Sequence, residues 1–202
     1  MNEARPETPG IAMMDPVTER LFRARNIIIS GEINQQLAAR VTAQLLAMAA
    51  ESEEDPITIF INSQGGHIES GDTIHDMVRF IKPRVRMIGT GWVASAAALI
   101  YVAVPREDRY CLPNTRFLLH QPAGGVGGSA ADIDIEAREI LRIRDRVNRL
   151  IARQTGQPLE RIEEDTRRNF WLDASGALEY GLVGRIVETV DEIDGAGKHG
   201  GR

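Results

Sequence analysis

A serine, a histidine and a pair of glycines in this sequence have the chemistry needed for acyl transfer. Ser95 follows an apolar segment and opens a run of small residues, in the stretch MIGTGWVASAAALIYVA over residues 87–103. A serine hydroxyl is a weak nucleophile that becomes reactive when a sharp strand-to-helix turn holds it beside a general base. The backbone amide of the next residue, Ala96, can point at a developing oxyanion. Ser95 is therefore the candidate nucleophile.

His120 is the candidate general base. It ends an apolar strand, RFLLH, and the following Gln-Pro stops that strand with the imidazole at its exit. Gly65 and Gly66 follow another predicted strand, so the Gly66 amide is a second candidate for binding an oxyanion, beside that of Ala96. Each residue also has a structural alternative: a serine in an alanine-rich helix can simply pack, and a buried histidine can simply bond a carbonyl.

The other histidines and the cysteine fit catalysis less well. We expect His75 on the surface of a helix, His199 in a C-terminal tail, and His67 lining a substrate groove rather than acting as base. Cys111 is the chain's single cysteine and cannot form an internal disulfide. No spacing of His and Cys residues predicts a metal site.

Composition excludes several other classes of function. The chain has 202 residues, 43% of them hydrophobic, which suits one core of moderate size. The net charge of -5 is spread over interleaved signs, so there is no basic surface for nucleic acid and no charge block for a membrane. The first thirty residues do not resemble a signal peptide, which favours the cytoplasm.

Apolar strands alternate with helices along the chain, which predicts an α/β fold with a parallel sheet covered on both faces. Functional sites in such sheets lie at the carboxyl ends of the strands, where both the NSQGG turn and Ser95 are expected. We predict a flexible arm over residues 1–15, one domain over 16–191 and a flexible tail over 192–202. The predicted strands cover residues 26–30, 57–61, 85–89, 109–112, 116–120 and 186–190, and the helices 18–25, 35–50, 72–81, 94–104, 130–155, 159–168 and 173–180.

Several segments, in this order and spacing, resemble the ClpP family, the proteolytic subunits of the Clp protease. They are FINSQGG, GWVASAAA, YCLPN, FLLHQPAGG, IEAREILRIRDRVNRLIARQTGQPLERIEEDT and ALEYGLVGRIVE. The resemblance covers about residues 26–188. The resemblance implies a crotonase-like fold of repeated β-β-α/β-α units with a protruding strand-helix handle. It also implies a serine endopeptidase that degrades unfolded polypeptides inside two stacked seven-membered rings.

The resemblance further implies roles for single residues and partners. Ser95 matches the nucleophile, His120 the base, and Gly66 and Ala96 the oxyanion amides. The substrate backbone would lie against Ile68 on one side and against Ala123, Gly124 and Gly125 on the other. A AAA+ unfoldase of the ClpX or ClpA type would use ATP to deliver substrates, while the peptidase subunit itself needs no cofactor.

The sequence departs from the family pattern in four places. Asn169 stands where the family usually has the triad aspartate, Gln64 replaces a proline, Ala96 and Ala97 replace Met-Gly, and the N-terminal segment lacks the usual arginine- and tyrosine-rich run. Apolar or aromatic residues are kept where the family places its ATPase-docking pocket: Phe60, Phe80, Ile88, Tyr110 and Leu112.

Two alternatives to an active peptidase stay open. Asn169 and the altered N-terminus favour a catalytically weak structural subunit in a mixed ring with an active paralogue. An acyl-CoA enzyme on the same fold would use a similar pair of oxyanion amides. Such an enzyme would not need a serine and a histidine together.

Overall fold

The computed structural model describes residues 15–122 and 127–194. The predicted arm up to residue 14, the tail from residue 195 with His199, and the predicted substrate residues Ala123, Gly124 and Gly125 lie outside these ranges. The elements, in chain order, are α1 (Pro16–Arg23), β1 (Asn26–Ile33), α2 (Gln35–Glu51), β2 (Ile57–Gly66), α3 (Ile68–Phe80), β3 (Val85–Ala94), α4 (Ala96–Tyr101), a 3-10 turn (Arg106–Asp108), β4 (Arg109–Cys111), β5 (Arg116–Leu119), α5 (Ala130–Thr155), α6 (Leu159–Asp165), β6 (Phe170–Leu172), α7 (Ala174–Tyr180), β7 (Arg185–Ile186) and α8 (Asp191–Asp194).

The predicted α/β class is confirmed, with a mostly parallel sheet at its centre. Strands β1, β2, β3, β4 and β7 are neighbours in that order, and all of these pairs are parallel. Strand β5 also pairs parallel to β3, beyond the end of β4, and β6 runs antiparallel on β5. Helices α2, α3 and α4 pack against one another and onto the sheet.

One face of the sheet is less covered than the sequence analysis predicted. In β1 and β2 the buried residues alternate with exposed or half-buried ones, and Ile28 is 50% exposed. The prediction of helices over both faces was wrong here, because α2, α3 and α4 bury the same face. On the other face Ile193 of α8, which we had placed in the tail, packs with Ile88, Tyr110 and Val187. Phe60 on the same face is half-buried against this cluster, whereas Ile28 is exposed.

Strands β2 and β3 are longer than predicted. The NSQGG segment, predicted as a turn, is the second half of β2, because Gly65 and Gly66 continue the parallel pairing with Glu32 and Ile33 of β1. Strand β3 continues to Ala94, so α4 is a short helix that begins only after Ser95. The predicted strand over residues 186–190 is reduced to β7, and β6 was not predicted.

The prediction that His75 lies on the surface was wrong. Its side chain is 8% exposed, its Nδ1 lies 3.0 Å from Asp76 Oδ1, and its Nε2 has no hydrogen-bond partner among the described residues. Helix α3 packs against both α2 and α4. A larger part of its surface is therefore buried than in a helix that buries a single apolar stripe.

Helix α5 has the predicted bounds but contacts the body only with its second half. It starts with a capping box between Ser129 and Asp132, which satisfies free N–H groups at the helix N-terminus. Side chains from Ala130 to Arg138 are exposed, while Val147 and Ile151 further along are buried. The first half of the predicted apolar stripe therefore finds no partner in the described part of the chain.

Candidate active site

Ser95 occupies a strained backbone position between β3 and α4. Its φ and ψ angles are 56° and -122°, and among the described residues it shares a positive φ only with Arg25 and glycines. Such conformations cost about 1–3 kcal/mol and persist where the surrounding structure enforces them, often at active sites. The Ser95 N–H donates to Leu118 O at 2.9 Å, which ties the turn to β5. The predicted serine turn is thus present.

The end of β2 lies against this turn and leaves no room for a side chain. A Cβ built on Gly65 would lie 2.6 Å from Ser95 Cβ and 3.0 Å from Ala96 N, and the φ of Gly65 is +93°. On the helix side, a Cβ on Gly71 of α3 would lie 3.3 Å from Ala96 Cβ. Glycine at position 65 therefore allows the two strand ends to meet at the serine.

Two polar side chains missed by the sequence analysis hold these strand ends in place. Ser63 is fully buried, and its hydroxyl donates to Gly31 O at 2.5 Å and accepts from Gly65 N at 3.0 Å. Asn62 Oδ1 accepts from Trp92 N at 3.3 Å. Their position inside the NSQGG segment was the available signal, since a serine or asparagine beside a glycine commonly bonds nearby backbone.

The serine and the histidine line one open cleft of about 710 Å³. The cleft also includes Gly65, Gly66 and Ile68, all predicted for the site, and His67, which lines it as expected. Its other lining residues are Glu32, Gln64, Glu69, Pro122, Glu136, Glu139, Ile140 and Ile143. Pro122, the last described residue before position 127, is one of the residues that line it.

A second, smaller pocket of about 30 Å³ opens beside Ser95 and is mostly apolar. Ala96 contributes to its wall, and as the first residue of α4 its N–H has no partner within the helix. The pocket is completed by Ile68, Leu99, Leu119, His120, Pro122, Val147 and Ile151.

His120 is half-buried, and this burial lowers the pKa of its imidazole below the ordinary value of 6.5. Among the described residues, no hydrogen bond joins its ring to Ser95 or Asn169. Catalytic hydrogen bonds are often long in the absence of substrate and shorten when it binds, so this geometry is compatible with a general base.

The pairing of β5 with β6 places Asn169 opposite His120. Leu119 pairs antiparallel with Phe170, so the next position on each strand is His120 on one side and Asn169 on the other. His120 and Asn169 also line a shared cavity of about 420 Å³. The sequence alone had placed Asn169 near His120 only by resemblance.

The two aspartates nearest to Asn169 in the sequence, Asp165 and Asp173, are engaged elsewhere. Asp165 Oδ2 accepts from the Tyr180 hydroxyl at 2.7 Å. Asp173 caps α7, where its Oδ1 accepts from Gly176 N at 2.7 Å. Neither carboxylate is free to orient His120.

A strained serine at a strand-to-helix turn, with a histidine in the same cleft, is the arrangement found in serine-type hydrolases. The family comparison is more specific, because the model for the Clp protease matches residues 10–190. The chain belongs to the Clp protease family and is a ClpP-type peptidase subunit. Family membership implies a ClpP-type oligomer that works with Clp ATPases.

Proteins of known sequence and structure agree with this assignment. The chain is 63% identical over 173 residues to ATP-dependent Clp protease proteolytic subunit 3 of Rhizobium etli, covering 86% of this chain and 89% of the relative. It is 51% identical to subunit 2 of Pseudomonas aeruginosa over 87% of each chain. The structure of ClpP1 from Listeria monocytogenes has a TM-score of 0.79 at 54% identity, covering 88% of this chain and 99% of that one.

Within residues 15–122 and 127–194, no group of three or more His, Cys, Asp or Glu side chains is arranged to hold a metal ion. No helix in the same ranges is long and apolar enough to cross a membrane.

Gly65→Ala should abolish reaction of Ser95 with a fluorophosphonate probe, because the new Cβ would overlap Ser95 Cβ. The matched control is Gly31→Ala. Gly31 has a similar φ of +79° but nothing within 4 Å of its built Cβ, so it carries the backbone strain without the clash. Labelling of Ser95 in both variants, compared on assembled protein, is the measurement. Equal labelling of the two variants would contradict a steric requirement at position 65.

The activity should fall in acid with a midpoint below pH 6.5. His120 must be neutral to accept the serine proton, and its lowered pKa means that it becomes protonated only at lower pH than an exposed histidine. The measurement is kcat/KM for a fluorogenic peptide between about pH 5 and 8, where the acid limb reports the free enzyme. A midpoint above 6.5 would show that another group limits the reaction or that His120 interacts with a negative charge.

Proposed function

We propose that Ser95 is the nucleophile and His120 the general base of a serine endopeptidase that degrades unfolded polypeptides. Ser95 Oγ attacks the scissile carbonyl while His120 takes its proton and later gives it to the leaving amine, and water then hydrolyses the acyl-enzyme. The amides of Gly66 and Ala96 bind the oxyanion. The observation that carries this proposal is the strained Ser95 turn, which opens into the cleft that His120 lines.

The substrate is proposed to bind as an extended strand. One side of the cleft ends at Gly66, His67 and Ile68, and the proposed opposite side is the segment Ala123, Gly124 and Gly125. Backbone pairing between strands does not read side chains, so specificity should come mainly from the small apolar pocket beside Ser95. The relatives named above are proteolytic subunits, which favours a peptide over an acyl-CoA substrate.

Asn169 is proposed to orient His120 in place of an aspartate. If its amide oxygen accepts the histidine N–H, the productive tautomer is kept, as in cysteine proteases that pair histidine with asparagine. The negative charge that would stabilise the imidazolium is then missing. We therefore expect a slow but active enzyme. A catalytically weak subunit in a mixed ring with an active paralogue is the second candidate, and the neutral Asn169 is the observation that favours it.

The proposed assembly is two stacked heptameric rings of this chain, or a mixed ring. The exposed first half of α5 supplies an apolar stripe with Ile133 45% exposed, which suits contact with another subunit. The docking surface proposed for a AAA+ unfoldase of the ClpX or ClpA type includes Phe80, which is 77% exposed, and Leu112, which is 37% exposed. ATP is used by that partner, and we propose that this subunit needs no cofactor and acts in the cytoplasm.

Ser95→Ala should remove fluorophosphonate labelling and peptide cleavage without changing the assembly. Loss of one oxygen in a small-residue turn alters little packing, so the oligomeric mass should match that of the wild type. Ser175→Ala is the matched control, since Ser175 is exposed on α7. Labelling of the Ser95→Ala variant at the wild-type level would refute the nucleophile assignment, and a monomeric wild type would refute the ring.

Asn169→Asp should raise kcat by at least about tenfold with little change in KM, because the restored charge acts mainly in the transition state. Another solved structure similar to this chain, with a TM-score of 0.82, is that of a ClpP1 variant from Listeria monocytogenes in which an asparagine is replaced by aspartate. Asn114→Asp is the control for charge, since Asn114 is exposed in a turn before β5. If kcat does not rise in an assembled Asn169→Asp enzyme, Asn169 is not the limiting group.

A further inference from the structure

The cavity behind His120 is lined by cationic side chains at the place where a serine triad carries its acid. Its lining consists of His120, Gln121, Arg167, Arg168 and Asn169, with a volume of about 420 Å³. The lining residues include two arginines and no acidic residue, and Ser95 lines the large cleft but not this cavity.

The backbone around this cavity is held by hydrogen bonds, while the arginine side chains are available. Gln121 N donates to Thr166 O at 2.9 Å, and Gln121 Nε2 donates to Arg167 O at 3.1 Å. The guanidinium of Arg167 faces Glu164 at 3.4 Å, but both side chains are mostly exposed, and such pairs are weak. Arg168 is exposed and has no ion pair or side-chain hydrogen bond among the described residues.

We propose that this cavity binds a carboxylate anion, which supplies to His120 the negative charge that Asn169 lacks. The proposal rests on the proposed function of Ser95 and His120. A guanidinium group binds a carboxylate through two parallel hydrogen bonds, and the amide nitrogen of Asn169 is a further donor for it. The bound anion stabilises the imidazolium that forms during attack, as a triad aspartate does. The enzyme is then activated by a small carboxylate from solution or by the C-terminal carboxylate of a peptide product.

The test is peptide hydrolysis by the assembled wild-type enzyme with increasing sodium acetate, at constant ionic strength made up with chloride. We expect saturable activation of about tenfold in kcat. A tenfold change corresponds to the extra strength of a charge-assisted hydrogen bond over a neutral one. Acetamide, which has the same shape without the charge, should not activate. The acid limb of the pH profile should also move to higher pH in acetate, because a neighbouring anion raises the pKa of a histidine.

Three variants locate the effect. Arg168→Gln should lose most of the response to acetate, and Arg153→Gln, an exposed arginine at the end of α5, should keep it. The Asn169→Asp variant carries the negative charge in its own side chain, so acetate should no longer activate it. A short peptide with a free C-terminal carboxylate, compared with its amide, distinguishes a product from a small organic acid as the source of the carboxylate.

The failure of this proposal is distinguishable from a failure of the proposed function. An enzyme that hydrolyses peptides and reacts with fluorophosphonate at Ser95, but whose kcat and pH profile do not change with acetate, overturns the carboxylate site alone. Equal activation by acetate and acetamide, or full activation of Arg168→Gln, overturns it as well. An enzyme that neither hydrolyses peptides nor labels at Ser95, with or without acetate, overturns the proposed function too.

Discussion

The contact between the backbone of Gly65 and the Ser95 turn is the constraint on which the rest of the site depends. Two parallel strands, β2 and β3, end side by side there, and β3 reaches Ser95 only after an irregular stretch. The register between the two strands shifts between Ile61 and Ser63, so β3 carries extra residues around Gly91. Gly91 has a φ of +55°, and a Cβ there would lie 2.7 Å from Asn62 Oδ1. This bulge brings Ser95 to the end of β2, beside Gly65 and Gly66.

The strain at Ser95 is maintained by burial and hydrogen bonding around it. Every residue of α4 is buried, so the helix that follows the serine cannot move away from the sheet without exposing apolar surface. On the strand side, the bond from Ser95 N to Leu118 O connects Ser95 to β5, the strand that directly precedes His120. The same strand pairs with β6, which directly follows Asn169. Ser95, His120 and Asn169 are therefore linked through the backbone of one strand, β5.

The described chain leaves apolar side chains exposed on two different elements. One is the first half of α5, whose stripe includes Ile133 and Ile135. The other is the outer face of the sheet, where Ile28 is 50% exposed and Phe60 is half-buried, while Ile88 and Tyr110 on the next two strands are buried against Val187 and Ile193. Apolar patches of this kind mark interaction sites in soluble proteins. They agree with the oligomer and the ATPase partner that membership of the Clp protease family implies.

The sequence by itself determined the features that depend on local order. The alternation of apolar strands and helices predicted the α/β class, the helical periodicity of apolar residues predicted α5 from about residue 130 to about residue 155, and the small residues around Ser95 predicted its turn. The tertiary structure decided what depends on pairing between distant segments. The extension of β2 through NSQGG, the bulge at Gly91, the burial of His75 between two helices and the placement of Asn169 opposite His120 all follow from register and packing. Strand register is set by contacts between residues far apart in the chain, and local periodicity carries no record of it.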